Sequence, residues 1–444
     1  MMHSTLLRNV KLYWQGDVVE GNVLIADGAV KAVSKREFTA ETIVDGEGFL
    51  AIPGGIDLHA HIYDPEHTDH EDWASGSLAA LYGGVTTLID MPLRVSVDNL
   101  EVLKLKIGEA TRSSYVNYGV TGGFINERNY QCIRDLVEHG VITFKFFTCR
   151  PFTIRDEAIP RALKLIADHN AIAVFHAEDE SLIDFREESQ RARSDPAAYH
   201  ESRSGYAEAS AIMKACYYAA ETGARVHIAH LSSKEGVEAL RFLKQRGIRV
   251  TAEVTPHHLY FTKSDAEKLG NLVKVAPTLK GAEDREELWR GLSEGVIDTL
   301  ASDNAPAPLN KKQGDVWSAW SGVPSLEVMI PLLYTLGFLQ GRLSLKRLIE
   351  VVAENPAKIL GVYPVKGSLS VGSHADIVVL DTRRSRVISA RSHHHKVEWN
   401  PWEGVELRGV PYHVFVNGHV IVEKGELVGE PGKGIYIGDL SKRV

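Results

Sequence analysis

The chain has 444 residues, 44% hydrophobic and 24% charged, with a formal net charge of −8. That length suits two or three domains, or one α/β barrel of ~250 residues with additions, and the acidic balance argues against nucleic acid or an anionic membrane surface as partner. Cys132, Cys149 and Cys216 are too widely spaced for a disulfide framework or a thiolate zinc motif.

Residues 1–10 lack the apolar region of a secretory signal, and no apolar run reaches transmembrane length, so the expected location is cytoplasmic. Residues 1–52 then read as short strands broken by Gly and Asp, among them LLRNVKLYW and NVLIAD. From there the pattern changes. Apolar β-type runs at 49–61, 85–92, 115–124, 141–147, 171–178, 224–233, 249–258 and 295–306 are each followed by a helical stretch. Strands alternating with helical crossovers predict an α/β fold, a (β/α)8 TIM barrel spanning 53–364. Residues 365–444 are again β-rich, with Asn417-Gly418 between two Val-rich runs as a tight hairpin signal. The two ends together predict a small β-sandwich domain, 1–52 plus 365–444.

The ends of the barrel strands carry the chemistry. His59 and His61 end the first strand two residues apart, so both side chains point the same way and can hold one cation. Alone, such a pair is a weak signal, more often a set of satisfied loop histidines than a metal site. His176 ends the fifth strand, His230 the sixth and Asp303 the eighth. Lys145 lies within VITFKFF, an apolar strand with no partner for its charge. A buried lysine tends to lose its proton, and a neutral amine can take up CO2 as a carbamate, an anionic ligand able to bridge two metals. Six polar residues meeting at the face where barrel active sites form are not explained by core packing.

With these stretches on the page, the chain resembles the cyclic amidohydrolases: dihydroorotase, allantoinase and hydantoinase/dihydropyrimidinase. The resemblance rests on PGGIDLHAHIYDP, ASGSLAALYGGVTTLIDMP, VITFKFF, VFHAED, VHIAHLSSKEG, EVTPHHLYFT, LASDNAPAP and KGSLSVGSHADIVVLD, in the family's order. It implies two divalent metal ions, usually Zn2+, held by His59, His61, Lys145 as N6-carboxylysine, His176, His230 and Asp303. It further implies that Asp303 is catalytic, moving a proton during hydrolysis of a small cyclic amide, and that the protein is a homodimer or homotetramer.

Which ring is read from departures. Dihydroorotases carry an arginine, an asparagine and a histidine where this sequence has Tyr63, Leu93 and Ala307. Hydantoinases carry a tyrosine where this one has Arg150. The pattern is nearest to allantoinases, through MPL, the Trp of HTDHEDW, KVAPTLK and WSAWSGVPSLE, although Arg94 and Asn304 replace an asparagine and a histidine usual there. The expectation is an allantoinase-like hydrolase, with dihydroorotase or hydantoinase activity, or a non-catalytic scaffold, as alternatives. A different hydrolase on the same barrel, such as a phosphotriesterase, would share the ligand set. Tyr63, Arg94, Arg150, Asn304 and Gly322 are the candidate substrate contacts. His257 and His258 are expected in structural or supporting roles near the mouth. His393-His394-His395, in a polar stretch, is expected to be a solvated loop.

Overall fold

The computed structural model describes residues 4–441. Its strands are β1 (Ser4–Trp14), β2 (Asp17–Ala26), β3 (Ala29–Ser34), β4 (Thr42–Asp45), β5 (Leu50–Pro53), β6 (Gly55–Ala60), β7 (Val85–Asp90), β8 (Asn117–Val120), β9 (Gly122–Ile125), β10 (Thr143–Phe147), β11 (Ile172–His176), β12 (Arg225–Ile228), β13 (Val250–Val254), β14 (Thr299–Leu300), β15 (Ile377–Val387), β16 (Glu406–Val416), β17 (His419–Glu423) and β18 (Glu426–Leu427).

Strands β6 to β14 pair in parallel, in the runs β6-β7-β8 and β9-β10-β11-β12-β13-β14. The runs form one ring. Asp303 N donates to His59 O (2.8 Å) and His61 N to Asn304 O (2.8 Å), closing β14 onto β6. This is the expected (β/α)8 barrel. The third strand, expected as one run, is split at Thr121 into β8 and β9. The Gly122-Gly123 pair explains the break. A Cβ on Gly122 would stand 2.6 Å from the Phe144 ring, and Gly123 has φ +123 with the Lys145 carbonyl 2.9 Å from its Cβ position. Only glycine lets the chain approach the lysine-bearing strand so closely. On β10, Phe144 and Phe146 alternate with Lys145 and join Phe175 and the crossover helices in the main core. One of them, Lys234–Gln245, is amphipathic. It starts where Ser233 accepts a hydrogen bond from Gly236 N, and it buries Val237, Leu240 and Leu243.

The remaining strands form one nine-stranded sheet of order β18-β17-β16-β15-β5-β1-β2-β3, with β4 beside β1. Both ends of the chain therefore share it. The sandwich packs around its own cluster, including Leu12, Val23, Phe49, Ile377 and Phe415. Asn417 and Gly418 make the β16–β17 hairpin with φ of 47° and 78°. No helix among the described residues is long and apolar enough to cross a membrane.

The solvated-loop expectation for His393-His394-His395 is overturned. His395 is buried, with Nδ1 2.9 Å from Glu71 Oε2. His394 stacks on Tyr82 at 3.8 Å and lies 3.2 Å from Glu327. The physical reason is that this polar stretch meets buried carboxylates and is drawn onto the barrel by the residues after it. Trp399 Nε1 donates to Ala307 O (2.8 Å), and Trp402 is fully buried.

Barrel and sandwich are tied at Asp376. Its Oδ2 accepts from Lys366 Nζ (2.6 Å) and from Asn117 Nδ2 of β8 (3.1 Å), and its Oδ1 accepts from Asn417 N (2.7 Å). Both charged partners are buried. Removing one partner of such a pair strands the other charge, at about 3–5 kcal/mol. Lys366→Met is therefore expected to lower the unfolding free energy by that amount in urea denaturation. A wild-type midpoint and slope would show that the junction does not depend on the pair.

Candidate metal centre

The barrel brings His59, His61, Lys145, His176, His230 and Asp303 to the wall of one cavity of about 330 Å³. All six are buried. Their hydrogen bonds show what the cluster lacks. His59 Nδ1 lies 2.5 Å from Glu253 Oε1, and a carboxylate only accepts, so the hydrogen is on Nδ1. His61 Nδ1 donates to the Met91 carbonyl at 2.8 Å. In the neutral rings both Nε2 atoms then present lone pairs. Both face Asp303 Oδ1, at 3.3 Å from His59 and 3.2 Å from His61. Two lone pairs and a carboxylate oxygen converging in a buried space are complemented by a cation between them.

A second pair behaves likewise. His176 Nε2 is engaged by Glu178 Oε2 at 2.7 Å, which turns Nδ1 toward His230 Nε2 at 3.0 Å. A tetrahedral ion with bonds of about 2.0–2.1 Å separates neighbouring ligand atoms by about 3.3 Å. The observed separations of 3.0–3.3 Å fit that edge. Lys145 Nζ is buried with no hydrogen-bond partner, and burial pushes its ammonium down to about 8. The residues therefore suit metal ions held by imidazole and oxygen ligands. Asp303 and His230 also hold positive φ, 46° and 38°, a strained conformation for non-glycine residues that aims both side chains inward.

Two carboxylates orient the histidines, and neither was singled out in the sequence. Glu253 accepts from His59, from His227 Nε2 (2.9 Å) and from His230 N (3.1 Å). Glu178 engages His176 on one side and Arg203 on the other. The available signal was an acidic residue inside an apolar strand, RVTAEV for Glu253. His257 stands beside the site, with Nε2 3.9 Å from Asp303 Oδ2 and both ring nitrogens unpartnered. His258 is structural, held by Thr255 Oγ1 and the Pro277 carbonyl.

Arg94, Arg150 and Gly322 lie on the cavity wall. Tyr63 and Asn304 are buried and are not among the lining residues. Tyr63 sits between His61 and Trp320, each ring 6.4 Å away, and Asn304 Oδ1 accepts from Ser325 N at 2.9 Å. The wall at 319–322 is fixed by two buried lysines. Lys312 Nζ donates to the carbonyls of Lys274 (3.1 Å), Trp320 (2.9 Å) and Gly322 (2.9 Å), and Lys274 Nζ donates to Ala319 O. Gly322, with φ +141, leaves only 2.1 Å between a Cβ position and the Ala305 carbonyl, so no side chain fits there.

Residues 50–421 match the sequence model of the amidohydrolase family. The chain belongs to that family. This amidohydrolase is 33% identical over 450 residues to the L-hydantoinase of Paenarthrobacter aurescens, covering 98% of each chain. It is 33% identical over 453 residues to the dihydroorotase of Methanosarcina acetivorans (98% of this chain, 96% of that one). It is 31% identical over 432 residues to the allantoinase of Rubrobacter xylanophilus (94% and 95%). Its fold superposes on a solved L-hydantoinase (dihydropyrimidinase) from Arthrobacter aurescens with a TM-score of 0.94 at 33% identity, over 98% of this chain and 99% of that one. Such even likeness to differently named relatives does not rank one ring above another.

Because Glu253 fixes the tautomer of His59 and the backbone of His230, Glu253→Gln is expected to weaken metal binding about 10–100-fold. Competition with a calibrated chelator measures this. Unchanged affinity would mean that the carboxylate serves only the fold.

Proposed function

We propose that this amidohydrolase opens a cyclic amide by binuclear metal-dependent hydrolysis of a C–N bond in a ureido or lactam ring. The observation that carries the reading is the buried convergence of imidazole lone pairs on Asp303, beside the orphaned amine of Lys145, at the floor of a cavity of about 330 Å³. That volume suits a single substituted ring. His59, His61, His176, His230 and Asp303 are the protein ligands, and two zinc ions are the metals proposed. Lys145 completes the set as N6-carboxylysine: its neutral amine adds to CO2, forming the N–C bond of a carbamate and releasing one proton. Bound divalent ions supply Lewis acidity toward the ring carbonyl and lower the pKa of water toward neutrality.

The chain's own residues do the rest. Asp303 takes the proton from the attacking water and returns it to the ring nitrogen as the C–N bond breaks. Glu253 and Glu178 hold His59 and His176 in the tautomers that ligation needs. The product is an open-chain ureido or amino acid derivative. Allantoin comes first among the rings to test, through the MPL, KVAPTLK and WSAWSGVPSLE stretches, with hydantoin, dihydrouracil and dihydroorotate beside it.

Two outcomes are expected of metal-analysed protein. Asp303→Asn lowers kcat for ring opening by about 10²–10⁴-fold, the range for loss of a general acid–base. Wild-type turnover in that variant would remove Asp303 from the proton path. Lys145→Ala loses metal and activity together, and a short carboxylic acid added to the assay restores part of both. Full metal content in Lys145→Ala would sink the carbamate assignment.

A further inference from the structure

The three arginines on the cavity wall are not equivalent. Arg150 is held by two carboxylates, Glu180 Oε1 at 3.2 Å and Asp184. Arg203 is held by Glu178. Arg94 has neither an ion pair nor a hydrogen bond to any described residue. It is exposed, and its guanidinium sits over the Trp320 ring, 5.3 Å from the centroid. By sequence, Arg94 and Arg150 are equal candidates for a substrate contact. The structure gives Arg150 other work and leaves Arg94 as the uncompensated cation of the wall.

Trp320 is a fixed platform. Its indole Nε1 donates to Ala305 O at 2.8 Å, and its carbonyl is pinned by Lys312. A guanidinium resting on an aromatic face keeps its N–H edge free for a planar partner. The adjoining wall, with Leu93, Pro151 and Phe152, offers no carboxylate to neutralise it. A neutral carbonyl would accept a hydrogen bond there but leave the charge unmatched. A carboxylate matches both the charge and the fork geometry.

We infer that Arg94 is a specificity-determining residue, and that the preferred substrate is a cyclic ureide or amide carrying a carboxylate on its exocyclic group, bound by the Arg94 guanidinium on the Trp320 platform. This rests on the hydrolase reading above for the ring, and on Arg94 for the substituent. The carboxylate site of dihydroorotase-like sequences is not its basis, since Tyr63, Leu93 and Ala307 stand at those three positions.

The test is a matched pair of hydantoins, one with a 5-carboxyethyl arm and one with the carboxamide isostere. Their kcat/KM ratio is measured with metal-loaded wild type and Arg94→Gln. Their Kd ratio is measured in the Asp303→Asn background, where ring opening is slowed, with and without Arg94→Gln. The wild-type residue should favour the carboxylate about 10–100-fold, the scale of a charge-assisted hydrogen-bonded pair. The preference should shrink with added salt, because the arginine is exposed, and collapse toward unity in Arg94→Gln. Equal binding of the two rings, no binding of either, or a preference that survives Arg94→Gln overturns the assignment. Selective, Arg94-dependent binding without any ring opening by wild type would support the carboxylate site and sink the hydrolase reading instead.

Discussion

Negative charge and lone pairs are concentrated on buried side chains at the wall of one cavity, and much of the barrel mouth is arranged around that imbalance. Asp303, Glu253 and Glu178 are all buried, and the histidines between them are turned so that their hydrogens point outward and their lone pairs inward. Without a cation in the middle, the arrangement would be expensive. With divalent metal there, each group has a complement. The strained backbone of Asp303 and His230 fits the same demand, since ordinary strand geometry would point those side chains elsewhere.

Several features of the fold serve to keep that geometry fixed. Asp57 accepts hydrogen bonds from His59 N and from Ser302 N and Oγ, which knits the first and last barrel strands together next to the ligands. Behind them, Glu71 takes His395 Nδ1 and Lys396 N, while Asn304 Nδ2 approaches it at 3.5 Å. A segment far along the chain thus buttresses the loop that carries Asp303. On the opposite wall, Lys312 and Lys274 clamp the carbonyls of 319–322. The ligand end of the cavity and its substrate-facing wall are both held by buried charges bonded to backbone.

The mouth is where this chain differs in character from its machinery. Relatives named for different rings are about equally similar to this chain, so the likeness speaks to a reaction type and not to a ring. The wall residues Leu93, Arg94, Arg150, Trp320 and Gly322 vary in kind: one arginine is neutralised, one is free, and one glycine is required by the closeness of Ala305. Which charges the wall leaves uncompensated is a property of pairing rather than of residue type.

By itself the sequence determined the barrel and the shared domain of the two termini, and it singled out the six polar residues that line the cavity. These follow from short-range rules: the alternation of β-type runs with helical stretches, and histidines two apart at a strand end. It also exposed Lys145 as a charge without a local partner. Only the tertiary structure decided the pairings between residues far apart in the chain. Glu253 was one acidic residue in an apolar strand until β13 came beside β12 and its carboxylate met His59, His227 and His230. His393–His395 read as solvated because their buried partners, Glu71 and Glu327, lie more than sixty residues away. Arg94 and Arg150 looked alike as sequence. Which of them kept a free charge depended on where Glu180 and Asp184 landed, and local pattern carries no information about that.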